Sequence, residues 1–389
     1  MEIAPEHGTK ASRTGCIPPT VLVEGVASHE SPPMTAPVVP DVLIRREGRA
    51  GRITMNRPKA LNALTLAMVR DIWQALLAWR DDREVALVLL DGAGDRAFCA
   101  GGDVLSLYES RARGSGLARM FWSEEYRLNA LIGRYPKPFV AIQDGIVMGG
   151  GIGLSGHAQY RVVTERSMLA MPETGIGLIP DVGGTWLLAH AVGELGTYLG
   201  LTGARMSGSD AIQAGFAGTF VRSVALGALK ARLADPGGGP VDEIVDEAGD
   251  AEPVPHSALM ALKPAIDRMF CHDTVEAIIA ALGATTEAWA QTACADLATK
   301  SPIAIKATLA ALRAARRMAS LEAALNAEYR LTVRLFEAGE FPEGVRALLV
   351  DKDKAPRWRP ARIAEVTPQM IVALQAPLPM SEELGLRAG

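Results

Sequence analysis

Ala170-Met171-Pro172-Glu173-Thr174-Gly175-Ile176-Gly177-Leu178-Ile179-Pro180-Asp181-Val182-Gly183-Gly184-Thr185 is the stretch on which the reading of this chain turns. It sets two carboxylates, Glu173 and Asp181, among four glycines and two prolines, with Ile176, Leu178 and Ile179 between them. Acids in apolar, backbone-restricted surroundings are costly unless paired or used, and their pKa is easily tuned for proton transfer. Taken by itself, the segment also reads as a surface loop whose Asp181 caps a helix starting near Gly183–Gly184. The flanking sequence decides between the two readings.

Upstream, Val42 to Glu47 and Arg52 to Met55 read as a hairpin turned at Gly48 to Gly51, and Leu64, Met68, Ile72, Leu76 and Trp79 recur at helical spacing. The apolar run Val85 to Leu90 suits a strand buried on both faces. After a turn over Asp91 to Arg96 comes Ala97-Phe98-Cys99-Ala100-Gly101-Gly102-Asp103, with a helix expected from Asp103. Adjacent glycines before a helix leave backbone N–H groups open to an oxyanion or phosphate. Phe121 to Tyr135 reads as a helix and Phe139 to Ile142 as a second buried strand. A second glycine cluster, Asp144 to Gly156, then runs into another helix. Strand, glycine loop and helix thus occur twice, which indicates a layered α/β fold rather than a β-sandwich or helical bundle. Met168 to Met171 is a short strand that delivers Glu173.

The expected organisation is a disordered leader over residues 1–40, rich in Pro, Ser, Thr, Glu and Gly, then an α/β core over 41–235. A linker or loop over 236–256 follows, opened by Pro236-Gly237-Gly238-Gly239-Pro240. An Ala/Leu-rich helical region over 257–365 and a tail over 366–389 complete the chain of 389 residues. Hydrophobic content of 49% with 22% charged residues is that of a globular protein. A net charge of −4 offers no basic field for nucleic acid, and the cluster Arg313, Arg316 and Arg317 reads as a solvated helix face. No apolar run approaches a membrane span, and no basic-then-apolar secretion signal opens the chain. Cys16, Cys99, Cys271 and Cys294 are scattered, with neither CxxC nor Cys/His metal spacing. They point to free thiols in a reducing compartment, read here as the cytoplasm, and to no metal site.

Gly151-x-Gly153-x-x-Gly156 with Glu173 downstream imitates a dinucleotide fingerprint. It is rejected because Asp144 to Gly150 separate the strand from the first glycine, and because the motif lies midway along the α/β region. No P-loop and no GxSxG elbow is present, and His157 and His190 lack a matched nucleophile. What remains is two loops of backbone donors, around Gly102 and Gly150, with Glu173, Asp181 and, in reserve, Glu125. Two N–H donors from separate loops aimed at one carbonyl oxygen stabilise an enolate or tetrahedral intermediate, each donor contributing about 3–4 kcal/mol. A nearby carboxylate then serves as base, acid or nucleophile.

Phe98 to Asp103, Met148-Gly149-Gly150-Gly151, Met171-Pro172-Glu173, Ile179 to Gly184 and Pro58 to Leu64 together resemble the crotonase (enoyl-CoA hydratase/isomerase) superfamily. The resemblance implies a core of ββα spiral turns with a helical C-terminal region, binding an acyl-CoA thioester. By that resemblance Gly102 and Gly150 hold the thioester oxygen, while Lys59, Ala60, Leu61 and Ala100 lie along the substrate. Hydratases of the superfamily carry a first catalytic glutamate where this chain has Gly153 and a second at Glu173. Asp181 stands where hydratases tend to have glycine. That departure resembles the 3-hydroxyisobutyryl-CoA hydrolase branch, as do Glu124-Glu125-Tyr126, Ser301-Pro302, Glu328-Tyr329-Arg330-Leu331, Phe341 to Ala347, Asp351 to Lys354 and Pro356-Arg357-Trp358.

The branch implies thioester hydrolysis in valine breakdown, with Glu173 and Asp181 catalytic and Glu125 holding the substrate hydroxyl. The expected cofactor is none beyond the coenzyme A of the substrate itself. The superfamily often forms trimers, but a helical C-terminus can rearrange that assembly, so a homo-oligomer stays open on the sequence. Two alternatives stay open on the sequence: a hydratase or isomerase using Glu173 alone, and a catalytically silent acyl-CoA-binding scaffold.

Overall fold

The computed structural model describes residues 39–388, so the leader expected over 1–40 lies outside the described residues except for its last two positions. The chain enters through the antiparallel hairpin β1 (Val42–Glu47) and β2 (Ala50–Met55), with Val42 opposite Met55 and Glu47 opposite Ala50. From there it spirals. Strands β3 (Leu87–Gly92), β4 (Ala97–Cys99), β5 (Phe139–Gln143), β6 (Ile146–Met148), β7 (Tyr160–Val163), β8 (Met168–Ala170), β9 (Met206–Ser207) and β10 (Thr219–Phe220) fall alternately into two sheets until the last pair, which enters in reverse order. The larger has the order β1-β2-β3-β5-β7-β10 and the smaller β4-β6-β8-β9. Pairing beyond the hairpin is parallel, except between β8 and β9. Each full turn lays one strand in each sheet, and the following helix returns the chain. This is the α/β spiral expected from the sequence.

Alternation within β3 shows why the strand reads as wholly apolar. Val88 and Leu90 face the main core with Ile53 and Ala141, whereas Leu87 and Leu89 face a second cluster with Val140, Leu229 and Ile244. Burial on both faces removes the polar side that would betray a strand. The short strands β4 and β6 escaped sequence reading because they lie inside the glycine-rich runs read as loops, and β9 because two residues carry no period.

Residues 236–256 are not a linker. The Gly/Pro run and residues 251–256 are irregular, but between them Val241–Asp250 is a helix that lays Val241, Ile244 and Val245 on the outer face of the larger sheet. Its acids occupy the opposite side, and their density hid the i, i+3, i+4 apolar stripe. The tail over 366–389 is likewise structured over its described part. It holds the helix Pro368–Gln375, and further on Leu384 O accepts from Arg127 while Asn326 bonds both ways to Leu386. Arg313 and Arg316, read as a solvated face, both pair with Glu194.

Two glycines fix how closely the layers approach. Gly145, between β5 and β6, has φ +83°, and a Cβ there would lie 2.6 Å from Arg96 O in the turn stacked beneath it. Gly151 carries the short helix Gly150–Ser155 against β4, where a Cβ would meet Cys99 O at 2.2 Å. Of the Gly151-x-Gly153-x-x-Gly156 spacing, Gly151 therefore serves helix–strand contact. Because the atom a Cβ at Gly151 would strike, Cys99 O, is backbone, Gly151→Ala is expected to cost about 3 kcal/mol, visible as a lowered denaturation midpoint with an unchanged m-value.

Candidate active site

Three elements converge behind the two glycine loops. The helix Leu117–Gly133 contributes Glu125, Tyr126 and Asn129. Strand β8 ends at Ala170 and hands Glu173 to a tight turn over Glu173–Ile176. The backbone then runs through Asp181, Val182 and Gly183 into the helix Gly184–Ala189. A cavity of about 560 Å³ opens among them. Ala100, Gly102, Glu125, Gly150, Glu173 and Asp181 all line it. Phe121, Trp122 and Phe341 supply apolar wall, and Lys300 and Lys354 also reach it.

The amides of Gly102 and Gly150 have no acceptor among the described residues. A Cβ on Gly150 would fall 2.6 Å from Glu125 Oε1, and one on Gly149 would fall 2.8 Å from Glu173 Oε1. The two carboxyls thus press against the second glycine loop, where any side chain would displace them. Glu125 Oε1 and Glu173 Oε2 are buried without a hydrogen-bond partner among the described residues. Asp181 Oδ2 accepts from the Tyr126 hydroxyl at 2.5 Å, and that hydroxyl lies 3.0 Å from Thr332 Oγ1.

Burial, more than any neighbour, raises all three acids. Glu125 is held well above the usual carboxylate range by desolvation, then by Asp181 and Glu173. Desolvation again leads at Glu173, followed by Asp181. Asp181 is pushed up to about 6 by burial although the Tyr126 hydrogen bond pulls it down. Three acids within one water-poor cavity cannot all ionise cheaply, so they hold protons into the range where a reaction can use them.

Asp181 does not cap the helix behind it through its side chain: the helix start at Gly183 has no side-chain cap from its own segment. The orphan donors are taken by Glu328 instead, from the helix Leu321–Ala338. It accepts from Gly183 N at 2.7 Å and Thr185 N at 2.9 Å, and from Thr185 Oγ1. His157 Nε2 lies 2.8 Å from Val182 O, and burial lowers its pKa to about 4, leaving it neutral. His190 is exposed against Trp186 O.

Lys59, Ala60 and Leu61 are not in the cavity wall. They form an exposed to half-buried turn whose Leu61 O accepts from Ala100 N at 3.0 Å, so the turn is tied to the first glycine loop by backbone. Asn62 fixes it from inside, accepting from Arg57 N at 2.8 Å and donating to Ala97 O at 2.8 Å. Sequence reasoning gave no role to Tyr126, Asn129 or Glu328. Glu328 had a readable signal: it sits between Leu325, Leu331 and Thr332 on the buried stripe of its helix, where an acid is out of place. Among the described residues no group of three His, Cys, Asp or Glu side chains is arranged to hold a metal ion.

At Gly153 the structure leaves no room. A Cβ there would lie 2.7 Å from Val182 Cβ and 2.8 Å from Asn129 Nδ2.

The family model described as Enoyl-CoA hydratase/isomerase matches residues 50–374. A zebrafish (Danio rerio) protein named 3-hydroxyisobutyryl-CoA hydrolase, mitochondrial, is 44% identical over 85% of this chain and 88% of its own length. The human (Homo sapiens) protein of the same name is 40% identical over 84% and 86%. Two solved structures superpose with a TM-score of 0.83. One is titled a carnitinyl-CoA dehydratase from Mycobacterium thermoresistibile, at 46% identity and covering 88% of this chain and 98% of that one. The other is titled an enoyl-CoA hydratase from Rhodobacter sphaeroides, at 45% identity and covering 89% and 100%.

Proposed function

Because the chain belongs to the enoyl-CoA hydratase/isomerase family, we infer that it is an acyl-CoA thioester hydrolase of the 3-hydroxyisobutyryl-CoA hydrolase kind, the name its relatives carry. Its net reaction adds water across the thioester, giving 3-hydroxyisobutyrate and free CoA, a step of valine catabolism. The amides of Gly102 and Gly150 form an oxyanion hole that takes up the charge developing on the thioester oxygen. Glu173, ionised, either attacks the carbonyl carbon or removes a proton from the water that does. In the first course a C–O bond forms as the C–S bond breaks, and water then cleaves the resulting anhydride and restores the carboxylate. In both courses Asp181, with a pKa near 6, is suited to deliver a proton to the departing sulfur. Glu125 accepts the substrate's hydroxyl, and the Lys59–Leu61 turn lies along the outer part of the CoA. No cofactor beyond the substrate's own CoA enters this scheme.

The observation that carries hydrolysis over hydration is Gly153. Where a hydratase of the family places its first glutamate, Val182 and Asn129 fill the space, and the available acid stands at Asp181 instead. The titles of the two superposed structures keep hydration as the second reading. Thiol release from 3-hydroxyisobutyryl-CoA, set beside hydration of crotonyl-CoA, separates the two: rapid loss of the enoyl absorbance without thiol release overturns hydrolysis. Tight CoA binding with no turnover of any short acyl-CoA would leave only a binding role. Appearance of label from ¹⁸O-water in the Glu173 carboxyl during a single turnover would establish direct attack.

Among the described residues no helix is long and apolar enough to cross a membrane. Cys99, Cys271 and Cys294 are free thiols, which suits a cytoplasmic setting and equally the mitochondrial one in the relatives' names.

A further inference from the structure

We propose that Glu328 is the positioning residue for Asp181: by fixing the backbone of Gly183 and Thr185 it holds Val182 in a left-handed conformation and so sets where the Asp181 carboxyl stands. The inference rests on the reading of Asp181 as part of the hydrolytic site.

Val182 has φ +55°, a region that β-branched residues avoid, and Gly183 follows at φ +79°. Such a backbone persists only when its surroundings over-determine it. Here they do so from two sides. On one, Glu328 accepts from both backbone amides and from the Thr185 hydroxyl. On the other, neutral His157 lies against Val182 O. The same conformation pushes the Val182 side chain into the space beside Gly153, so the turn that presents Asp181 also closes the place of the missing glutamate. One helical turn beyond Glu328, Thr332 contacts the Tyr126 hydroxyl that holds Asp181. A single C-terminal helix therefore governs both the backbone and the side chain of Asp181.

Glu328 is 1% exposed. Facing it are Asp181 and Glu173 on their loops and the Tyr126 hydroxyl on the helix Leu117–Gly133. His157 lies across Gly183, and Arg134 pairs with Glu322 further along Glu328's own helix. Among the described residues no cation pairs with Glu328, so its charge bears on the other acids: it helps raise Glu173. Burial pushes its own pKa up to about 7 even with three donors.

The test is steady-state thiol release by wild type, Glu328→Gln and the double variant Glu328→Gln/Val182→Gly, each across pH. Displacing a catalytic group by a fraction of an ångström to one ångström costs up to about 10²-fold. Glu328→Gln is therefore expected to lose at least about tenfold in kcat with KM nearly unchanged. At about pH 7 and above, where the wild type carries the Glu328 charge, its profile moves to lower pH because one negative charge has left the cluster. Adding Val182→Gly regains part of the kcat, since glycine adopts the conformation without a clamp. An active wild type with an unchanged kcat and profile in Glu328→Gln overturns the proposal. So does a loss of kcat with an unmoved profile and no rescue by Val182→Gly, which marks packing alone. If Glu328→Gln does not fold, Thr185→Val, which removes one donor at equal volume, must lower kcat without raising KM, and wild-type kcat in Thr185→Val overturns the proposal. A wild type that releases no thiol defeats the hydrolase reading instead.

Discussion

Glu173→Gln is expected to abolish most thiol release, by about 10²–10⁴-fold, with little change in KM. The range is that of a positioned acid–base group, and KM is spared because the wall and glycine loops that hold the thioester are untouched. Glutamine keeps the volume of the side chain, so the turn Glu173–Ile176 and its closure through Leu178 N to Glu173 O persist. In the proposed scheme the residue reacts only when ionised, and burial beside Asp181 raises its pKa. Activity in the wild type must therefore rise with pH along a limb set well above the ordinary carboxylate value of about 4.3. A pH profile of kcat flat from pH 4.5 to 8 would remove Glu173 from the chemistry, as would a Glu173→Gln variant that still turns over.

Asp181→Asn is expected to do two opposite things: to lower kcat by about 10²-fold or more and to raise stability above pH 6. The second follows from linkage. Its carboxyl has an ordinary value of 3.8 and a folded value of about 6, so the fold binds the proton more tightly than the unfolded chain does. The associated stability is complete below about pH 4 and is lost as pH rises through about 6. At about 1.4 kcal/mol for each tenfold change, the ionised carboxyl costs about 3 kcal/mol at pH 8. Asparagine carries no such charge and still accepts from Tyr126. Thermal unfolding at pH 8 should show a midpoint raised by a few degrees in the variant, shrinking toward zero at pH 4. Equal midpoints at pH 8 would mean that the buried acid is not strained.

The sequence carried the spiral core well because its evidence lies in composition local to each turn: apolar strand, glycine loop, capped helix. Glu173, Asp181, Gly102 and Gly150, which the structure brings to one cavity, stood out for the same reason, each beside a glycine or proline that only a built turn explains. Elsewhere, the helix Val241–Asp250 was misread because acidity masked its stripe. The capping role given to Asp181 failed because the actual cap, Glu328, lies 145 residues from Gly183. Tertiary capping leaves no trace in the segment that is capped. Tyr126 was quoted within a motif, yet nothing in a helix sequence says which buried hydroxyl will meet a distant carboxylate. The Lys59–Leu61 turn had a recognisable sequence, but only coordinates show that it touches Ala100 by backbone and stays out of the cavity.

That 145-residue separation between Gly183 and Glu328 has a bearing on biosynthesis. Chains are made at about 5–20 residues per second, so roughly 7–30 s pass between the emergence of the glycine-rich turn and that of the helix which fixes it. Throughout that interval the spiral core has every residue assigned to bond-making, but only His157, and not Glu328, to hold the turn at Val182. Once β9, β10 and the helix Val241–Asp250 have followed, the proposed reaction centre still waits for Glu328, and the last third of the chain acts as its assembly step.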